Sequence, residues 1–358
     1  MYQNRLTDVE LIRLSWLTST AQKGLQAQQA QLPNRFGAIT MRRLTVIAAA
    51  LLIFIPQSIA GSLSEIRLDY ATYNPLSLVL KDQKILEKAF EKDGVSIVWA
   101  QSLGSNKALE FLNASSIDFG STAGAAALLA KLNGNPIKSI YVYSRPEWTA
   151  LVTRKDTGIS KVADLKGKRV AVTRGTDPHI FLVRALADAG LTEKDITVVP
   201  LQHPDGRAAL ERGDVDAWAG LDPMMAAAEI NSGAILFYRK PEANTWGILN
   251  VREAFVAEHP DAVRRVIEAY EEARAWALAH PGELKKLFVA VTKLPEPVVE
   301  RALGSRTDLS NSAIGERQRQ SILAAGLALQ QAGVIPASAD VKAAVDSLID
   351  SHYVTASK

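Results

Sequence analysis

The stretch from Gly167 to His179, GKRVAVTRGTDPH, is the feature that most constrains the fold of this chain. Its segment Arg169–Thr173 alternates and is rich in β-branched residues, which predicts a short buried strand. A glycine follows, Thr176 or Asp177 can cap a helix, and Pro178 suits a first helical turn that needs no amide donor. A strand that turns into a helix in this way directs free backbone amides at one point, which favours an anion. Taken alone, the stretch also fits an ordinary strand–helix connection.

Strands and helices alternate on both sides of this stretch. Before it, the predicted strands are Ile66–Ala71, Val95–Ala100, Ile117–Gly120, Ile137–Ser144 and Ala150–Arg154. After it, they are Ile196–Pro200, Val215–Ala219, Ile235–Tyr238 and Gly247–Val251, and the rest of the chain is mostly helical. This order predicts an α/β protein with parallel strands and a helical C-terminal part.

The alternation restarts once, which indicates two α/β lobes. We predict that the chain crosses between them near Thr153–Lys155 and again near Asn244–Gly247. Two crossings mean that one lobe is inserted into the other, with a two-strand hinge between them. The expected division is 61–153 and 247–358 for lobe I and 154–246 for lobe II.

Residues 41–60, MRRLTVIAAALLIFIPQSIA, have the pattern of a cleaved secretory signal peptide. Arg42-Arg43 forms the positive start, and the apolar run Leu44–Ile55 is short for a membrane span. Ser58-Ile59-Ala60 presents small residues where a signal peptidase cuts. The prediction is a periplasmic protein that starts after residue 60, with 1–40 as an unstructured extension or a misassigned start. The alternative is a membrane anchor or a buried helix.

Composition excludes several classes of protein. The chain has no cysteine, so disulfides, thiol nucleophiles and cysteine metal sites are ruled out. Its net charge of +3 arises from residues 1–60, and the remainder, with 35 basic and 36 acidic residues, is nearly neutral. No basic surface for nucleic acid is therefore expected. The five histidines are spaced too irregularly to suggest a metal cluster, and we predict no cofactor.

The strand–turn–helix device recurs along the chain. A capping residue precedes a proline at Asn74-Pro75, Asp177-Pro178 and Asp222-Pro223, and hydroxyl residues open predicted helices at Gly104-Ser105 and Ser121-Thr122. Ligands of open α/β sheets bind beyond the carboxyl ends of the strands. Two such lobes would therefore surround a small ligand with helix N-termini and hydroxyl groups, although any single cap has a structural explanation as well.

Three runs carry a family resemblance: IDFGSTAG at 117–124, VADLKGKRVAVTRGTDPHIFLVRAL at 162–186 and ALERGDVDAWAGLDP at 209–223. Together they resemble the periplasmic substrate-binding proteins of ABC importers for aliphatic sulfonates, taurine and nitrate. The resemblance implies two lobes that close over the ligand about a hinge. It also implies a monomer that delivers a small organic anion to an inner-membrane permease with its ATPase subunit. The residues that it places in the cleft are Tyr73, Asn74, Gly104, Ser105, Ser121, Thr122, Gly175, Thr176, His179 and Asp222.

The match departs from the family at two places near the expected pocket. Leu221 stands where the family often has an aromatic residue, and Ala123–Ala127 replaces a frequent Gly-Asp-x-Pro pattern. We expect these apolar residues to leave space for a carbon tail, which favours an alkanesulfonate. Nitrate, taurine and a heterocycle such as a thiamine precursor are alternative ligands.

For several polar residues the sequence allows both a ligand-binding role and a structural role. His179 either touches the anion or makes a structural hydrogen bond, and Arg174 either supplies charge or is solvated. Asp222 would repel an anion, so it is a helix cap unless the ligand carries an amino group. Trp148 lies near a predicted crossing and receives no role.

The sequence argues against two other functional classes. No Gly-x-Ser-x-Gly elbow or phosphate loop indicates an enzyme, and a similar family that makes a thiamine precursor uses a cysteine-rich motif that this chain lacks. A transcription regulator would need an N-terminal DNA-binding domain, for which residues 1–40 are too short. The prediction is a binding protein without catalytic residues.

Overall fold

The computed structural model describes residues 63–353 of the chain. The predicted signal peptide at 41–60 and the extension at 1–40 lie outside the described residues. Within the described range, no helix combines the length and the apolar character needed to cross a bilayer.

Two mixed β-sheets form the framework, one for each predicted lobe. The first has the order β11-β4-β10-β3-β1-β2 and the second β7-β6-β8-β5-β9. The strands of the first sheet are β1 (Glu65–Tyr70), β2 (Ser96–Gln101), β3 (Phe119–Ala123), β4 (Ile137–Pro146), β10 (Gly247–Arg252) and β11 (Thr307–Asp308). Those of the second are β5 (Thr149–Thr153), β6 (Arg169–Val172), β7 (Thr197–Pro200), β8 (Ala217–Leu221) and β9 (Ile235–Tyr238).

Helices connect and cover these strands. In the first two thirds of the chain they are α1 (Pro75–Asp82), α2 (Ile85–Phe90), α3 (Ser105–Asn113), α4 (Gly124–Leu132), α5 (Asp177–Asp188), α6 (His203–Arg212) and α7 (Met224–Ser232). The C-terminal third supplies α8 (Glu253–Glu258), α9 (Pro260–Ala279), α10 (Pro281–Thr292), α11 (Glu296–Val299), α12 (Glu316–Gln331) and α13 (Val341–Leu348). The predicted α/β class with a helical C-terminal part is confirmed.

Strand direction follows the route of the chain. Strands β1, β2 and β3 are parallel to one another, as are β6, β7 and β8, because a helix connects each to the next. Strand β10 instead runs antiparallel to β3 and β4, and β5 runs antiparallel to β8 and β9. The predicted parallel layering therefore holds for β1–β3 and β6–β8 but not for the strands that flank the crossings.

The first crossing lies earlier than the sequence suggested. Strand β5, which was expected to end lobe I, pairs with β8 and β9 in the second sheet. The chain therefore leaves the first sheet between Pro146 and Thr149. The return passage lies between β9 and β10, and the predicted segment Asn244–Gly247 falls at its end, with Gly247 as the first residue of β10. We use lobe I and lobe II below for the first and second sheet with their helices.

The lobes also meet away from the crossings, through the segment that follows α10. Val298 and Ala302 pack against Ala226 and Ala227 of α7 in an apolar cluster. Beside it, the buried Arg306 guanidinium lies 2.6 Å from Glu229 and 3.3 Å from Asp222, both of lobe II. This segment of lobe I thus holds lobe II by an apolar contact and by buried charge.

Gly247, the first residue of β10, permits a close approach of strands. A Cβ there would lie 2.6 Å from Ser144 Oγ and 2.7 Å from Tyr143 Cζ. Because both neighbours are fully buried, they have little room to move. We expect Gly247→Ala to lower the free energy of unfolding by about 1–3 kcal/mol, measured by urea unfolding.

Gly282, near the start of α10, is the matched control for this substitution. Nothing lies within 4 Å of a Cβ built there. Gly282→Ala should leave stability unchanged or slightly raised, since alanine favours a helix. Equal stabilities for the two variants would contradict the packing described at β10.

Candidate functional site

A small cavity lies between the two lobes, where parallel strands end. It has about 10 Å³ of space, which is room for about one water molecule. Its lining residues follow strands β1, β2, β6, β7 and β8 or stand at the first crossing: Tyr73, Ser105, Trp148, Thr176, Asp177, Pro178, His203 and Leu221. This is the edge at which open α/β sheets bind ligands.

Three helices start at this cavity. Helix α3 of lobe I begins at Ser105, whereas α5 and α6 of lobe II begin at Asp177 and His203. The first-turn amides of a helix have no partner within it, and the helix dipole places partial positive charge there. Gly175 allows the approach to α5, because its φ of +75° is in the left-handed region that glycine adopts freely. The cavity is therefore a place where three positive helix ends converge.

Apolar side chains form the rest of the wall. Tyr73 and Trp148 meet edge to face, with ring centroids 6.1 Å apart. The Tyr73 hydroxyl is held by Ser102 Oγ at 2.8 Å and by the Ser121 carbonyl at 3.1 Å. Leu221 is buried at the end of β8. This wall offers surface to the apolar part of a ligand.

Asp177 places a carboxylate at the cavity and connects both crossings. Its Oδ2 accepts hydrogen bonds from Trp148 Nε1 at 2.8 Å and from the Thr245 amide at 2.9 Å. Its Oδ1 accepts from Thr245 Oγ1 at 2.7 Å. Burial raises the pKa of this carboxyl, although these donors oppose the shift. Asp177 therefore links the two crossings through hydrogen bonds and places a carboxyl group in the cavity wall.

His203 is the least satisfied side chain of the lining. It is fully buried, and neither ring nitrogen has a hydrogen-bond partner among the described residues. Burial lowers the pKa of His203 to about 3, so the imidazole is neutral at physiological pH.

The structure brings four of the ten predicted site residues to the cavity region. Tyr73, Ser105 and Thr176 line it, and Gly104 lies behind His203, from which a Cβ at Gly104 would be 3.2 Å away. Ser105 Oγ accepts from the Ala123 amide at 3.0 Å, and Thr176 Oγ1 donates to the Thr173 carbonyl at 2.6 Å. These two hydroxyls are thus held in place by the backbone.

Three more of the predicted residues lie beneath the cavity, within lobe I. Asn74 caps α1 and donates to Ser121 Oγ at 2.8 Å, and Thr122 Oγ1 accepts from Asn250 at 2.7 Å. Ser121 and Thr122 were expected to open a helix. They belong instead to strand β3, because pairing with β10 extends the strand to Ala123. All three side chains are fully buried and hydrogen-bonded to protein.

The remaining three predicted residues face other parts of the surface. Gly175 borders a shallow groove of lobe I, and His179 borders a groove between α5 and α12, with Nε2 3.2 Å from Glu193. Arg174 also reaches Glu193, at 3.3 Å. Asp222 borders a neighbouring space of about 20 Å³, which shares Tyr73 and Trp148 with the cavity. There its Oδ1 accepts from the Ala226 amide at 2.8 Å.

The expected role of Ala123–Ala127 is also corrected. These residues are buried in the core of lobe I and do not line the cavity, because α4 packs against α12 and α13. Only Leu221, of the two apolar departures, reaches the cavity.

Sequence reasoning missed Trp148 and His203. Trp148 lies near the predicted crossing after β5, whereas the structure places it at the crossing before β5. His203 follows a strand and starts a helix, as Ser105 and Asp177 do, so the same local rule would have selected it.

Asp69, below the cavity, gives stability a pH dependence. It is fully buried, and burial raises its pKa to about 6, against hydrogen bonds from Ser102 and Ser121. Between about pH 4 and pH 6 the native state holds a proton that the unfolded chain has lost, so stability falls as pH rises through this window. Asp69→Asn should reduce this fall by about 3 kcal/mol, measured by urea unfolding at several pH values. The exposed Asp205→Asn is the control, and an unchanged slope in the Asp69 variant would contradict the assignment.

The two sheets, the double crossing and the interlobe cavity define a class: the fold is that of the periplasmic binding proteins. A model described as NMT1/THI5 like matches residues 89–284, more than half of the chain. The chain therefore belongs to the NMT1/THI5-like family.

Relatives and solved structures agree with this assignment. A putative aliphatic sulfonates-binding protein of Escherichia coli (strain K12) is 29% identical over 290 residues, 78% of this chain and 90% of the relative. One of the same description from Bacillus subtilis (strain 168) is 28% identical over 252 residues, 69% of this chain and 76% of the relative. The alkanesulfonate-binding protein of Xanthomonas axonopodis pv. citri, solved with bound MOPS, is 26% identical with a TM-score of 0.72, covering 79% of this chain and 98% of that one.

Proposed function

We propose that this protein is the solute-binding component of an ABC importer and that it captures a small organic anion, an aliphatic sulfonate, in the interlobe cavity. The captured ligand is delivered to a membrane permease driven by its ATPase subunit. The observation that carries the proposal is the convergence of three helix N-termini, from both lobes, on one small cavity. Each helix end favours an anion by roughly 0.3–1 kcal/mol. The names of the relatives support the sulfonate.

Binding requires the protein to open. The cavity of about 10 Å³ holds about one water molecule, so a sulfonate enters only if the lobes separate or the lining side chains move. The crossings next to Trp148 and Thr245 are where such a movement would be hinged. This division into two moving lobes is part of the proposal.

An uncharged heterocycle is the second candidate ligand. No lysine or arginine is among the cavity-lining residues in the described part of the chain, and Asp177 contributes a carboxylate. Tyr73 and Trp148 would suit an aromatic ring. This lining is less favourable to an anion than one with a guanidinium would be.

Calorimetric titration of the purified protein separates the candidates. The panel is butane-1-sulfonate, taurine, nitrate, a neutral sulfone of the same size and a pyrimidine thiamine precursor. We expect the sulfonate to bind and the sulfone to fail, since the sulfone keeps the shape but lacks the charge. If the pyrimidine binds and no sulfonate does, the proposal of an anionic ligand is wrong and the second candidate is supported.

Export is a separate part of the proposal, and the pattern at 41–60 supports it. N-terminal sequencing of the protein from a periplasmic fraction should find a chain that begins at Gly61. A chain that retains the apolar run Leu44–Ile55 would contradict cleavage at that point.

A further inference from the structure

His203 stands at the cavity with two ring nitrogens that have no hydrogen-bond partner among the described residues. A buried polar group without a partner costs free energy, and native proteins retain few of them. The cavity wall beside His203 is the place where a bound molecule could supply the missing partner. An unpaired group in such a position indicates contact with a ligand.

The position of the imidazole supports this reading. His203 is the first residue of α6 in lobe II, yet its ring reaches Gly104, the residue before α3 of lobe I. A Cβ at Gly104 would lie 3.2 Å from both Cδ2 and Nε2 of the ring. The imidazole thus spans the cleft between two helix N-termini. Closure of the lobes would enclose a ligand at this position.

The charge state of the ring defines what it can recognise. Since the pKa of His203 lies far below physiological pH, the ring carries one N–H donor and one lone pair. Its N–H matches an oxygen acceptor. It therefore adds directional recognition at the cavity without adding a full positive charge.

We propose that His203 is a specificity-determining residue that donates its N–H to an oxygen of the bound ligand's head group. The inference rests on the proposed binding function, because it assigns one contact within that site. Ligands without an acceptor at this point would leave the N–H unpaired and bind less tightly.

The test combines two variants with two measurements. His203→Leu removes both nitrogens, and His203→Gln retains a side-chain amide that can donate. Exposed His280, where α9 meets α10, provides the control His280→Leu. Affinity for butane-1-sulfonate is measured by calorimetry, and stability without ligand by urea unfolding.

We expect His203→Leu to weaken sulfonate binding by about 5- to 150-fold. Its stability without ligand should be equal to or above that of the parent, because an unpaired buried polar group has been removed. His203→Gln should recover part of the affinity, and His280→Leu should bind like the parent. Parental affinity in His203→Leu, or a clear loss of its stability without ligand, would overturn the inference.

Failure of the proposed ligand gives a different result. If the parent binds another member of the panel and no sulfonate, the sulfonate proposal is wrong, and the same variants decide the role of His203 with that member. Binding of no member would contradict both proposals.

Discussion

Arg306→Leu is expected to lower the free energy of unfolding by about 3–5 kcal/mol. The Arg306 guanidinium is buried and is shared between Asp222 at 3.3 Å and Glu229 at 2.6 Å, both in lobe II. Removing it leaves Asp222 buried without its positive partner. Urea unfolding at pH 8 measures the loss.

The pH dependence of that loss tests its electrostatic cause. Burial raises the pKa of Asp222 to about 6 even though Arg306 opposes the shift. Without Arg306 the pKa rises further, so Asp222 is protonated at pH 5 and charged only at higher pH. Because the cost comes from the charged form, the loss of stability should be larger at pH 8 than at pH 5.

Arg301→Leu is the matched control for Arg306→Leu. Arg301 also contacts Glu229, at 2.7 Å, but its side chain is 42% exposed. Exposed ion pairs contribute about 0–1 kcal/mol, so this variant should lose little. Equal losses in the two variants, or a loss in Arg306→Leu that shrinks with rising pH, would contradict the buried interlobe contact.

Asp177→Ala is expected to lower the free energy of unfolding by about 2–5 kcal/mol. The substitution leaves two buried N–H donors without an acceptor, and each such donor costs about 1–3 kcal/mol. These donors are Trp148 Nε1 at the first crossing and the Thr245 amide at the second. The desolvation cost that the carboxylate itself bears offsets part of the loss. Urea unfolding of parent and variant gives the difference.

Asp177→Asn is the control for this effect. Its oxygen can accept from Trp148 and Thr245 as Oδ2 does, while its amide can donate to Thr245 Oγ1, which also accepts from the Ala125 amide. We expect a loss below about 1 kcal/mol, since each hydrogen bond is kept or reversed. A loss as large as that of alanine would show that the charge, and not the hydrogen bonds, stabilises the contact between the two crossings.

Local sequence patterns predicted the helices and strands well, because these elements depend mainly on residues that are neighbours in the chain. The turn from β6 into α5 lies where Gly175, Thr176 and Pro178 indicated it. Alternating and β-branched runs predict ten of the eleven strands found within residues 63–353. The eleventh, β11, has only two residues and carries too little pattern. The proline-marked start of α1 is likewise capped by Asn74.

Pairing between distant segments was beyond the reach of those patterns. Thr149–Thr153 is a fully buried strand. The sequence pattern of such a strand does not indicate which sheet it joins, and the predicted first crossing was therefore wrong. Ser121 and Thr122 looked like helix openers, but Ser121 donates to Asp69, 52 residues away. A side chain near a cleft either lines it or supports it, and only tertiary contacts separate the two.

Affinity for butane-1-sulfonate in the Asp177→Asn variant tests the central claim most directly. The variant removes a negative charge from the wall of the cavity while keeping its hydrogen bonds, and its unfolding curve confirms that it folds. If an organic anion binds in the interlobe cavity, calorimetry should show affinity several-fold above that of the parent, because like charges repel. An unchanged affinity would contradict the location of the site, and a decreased one would contradict the proposed charge of the ligand.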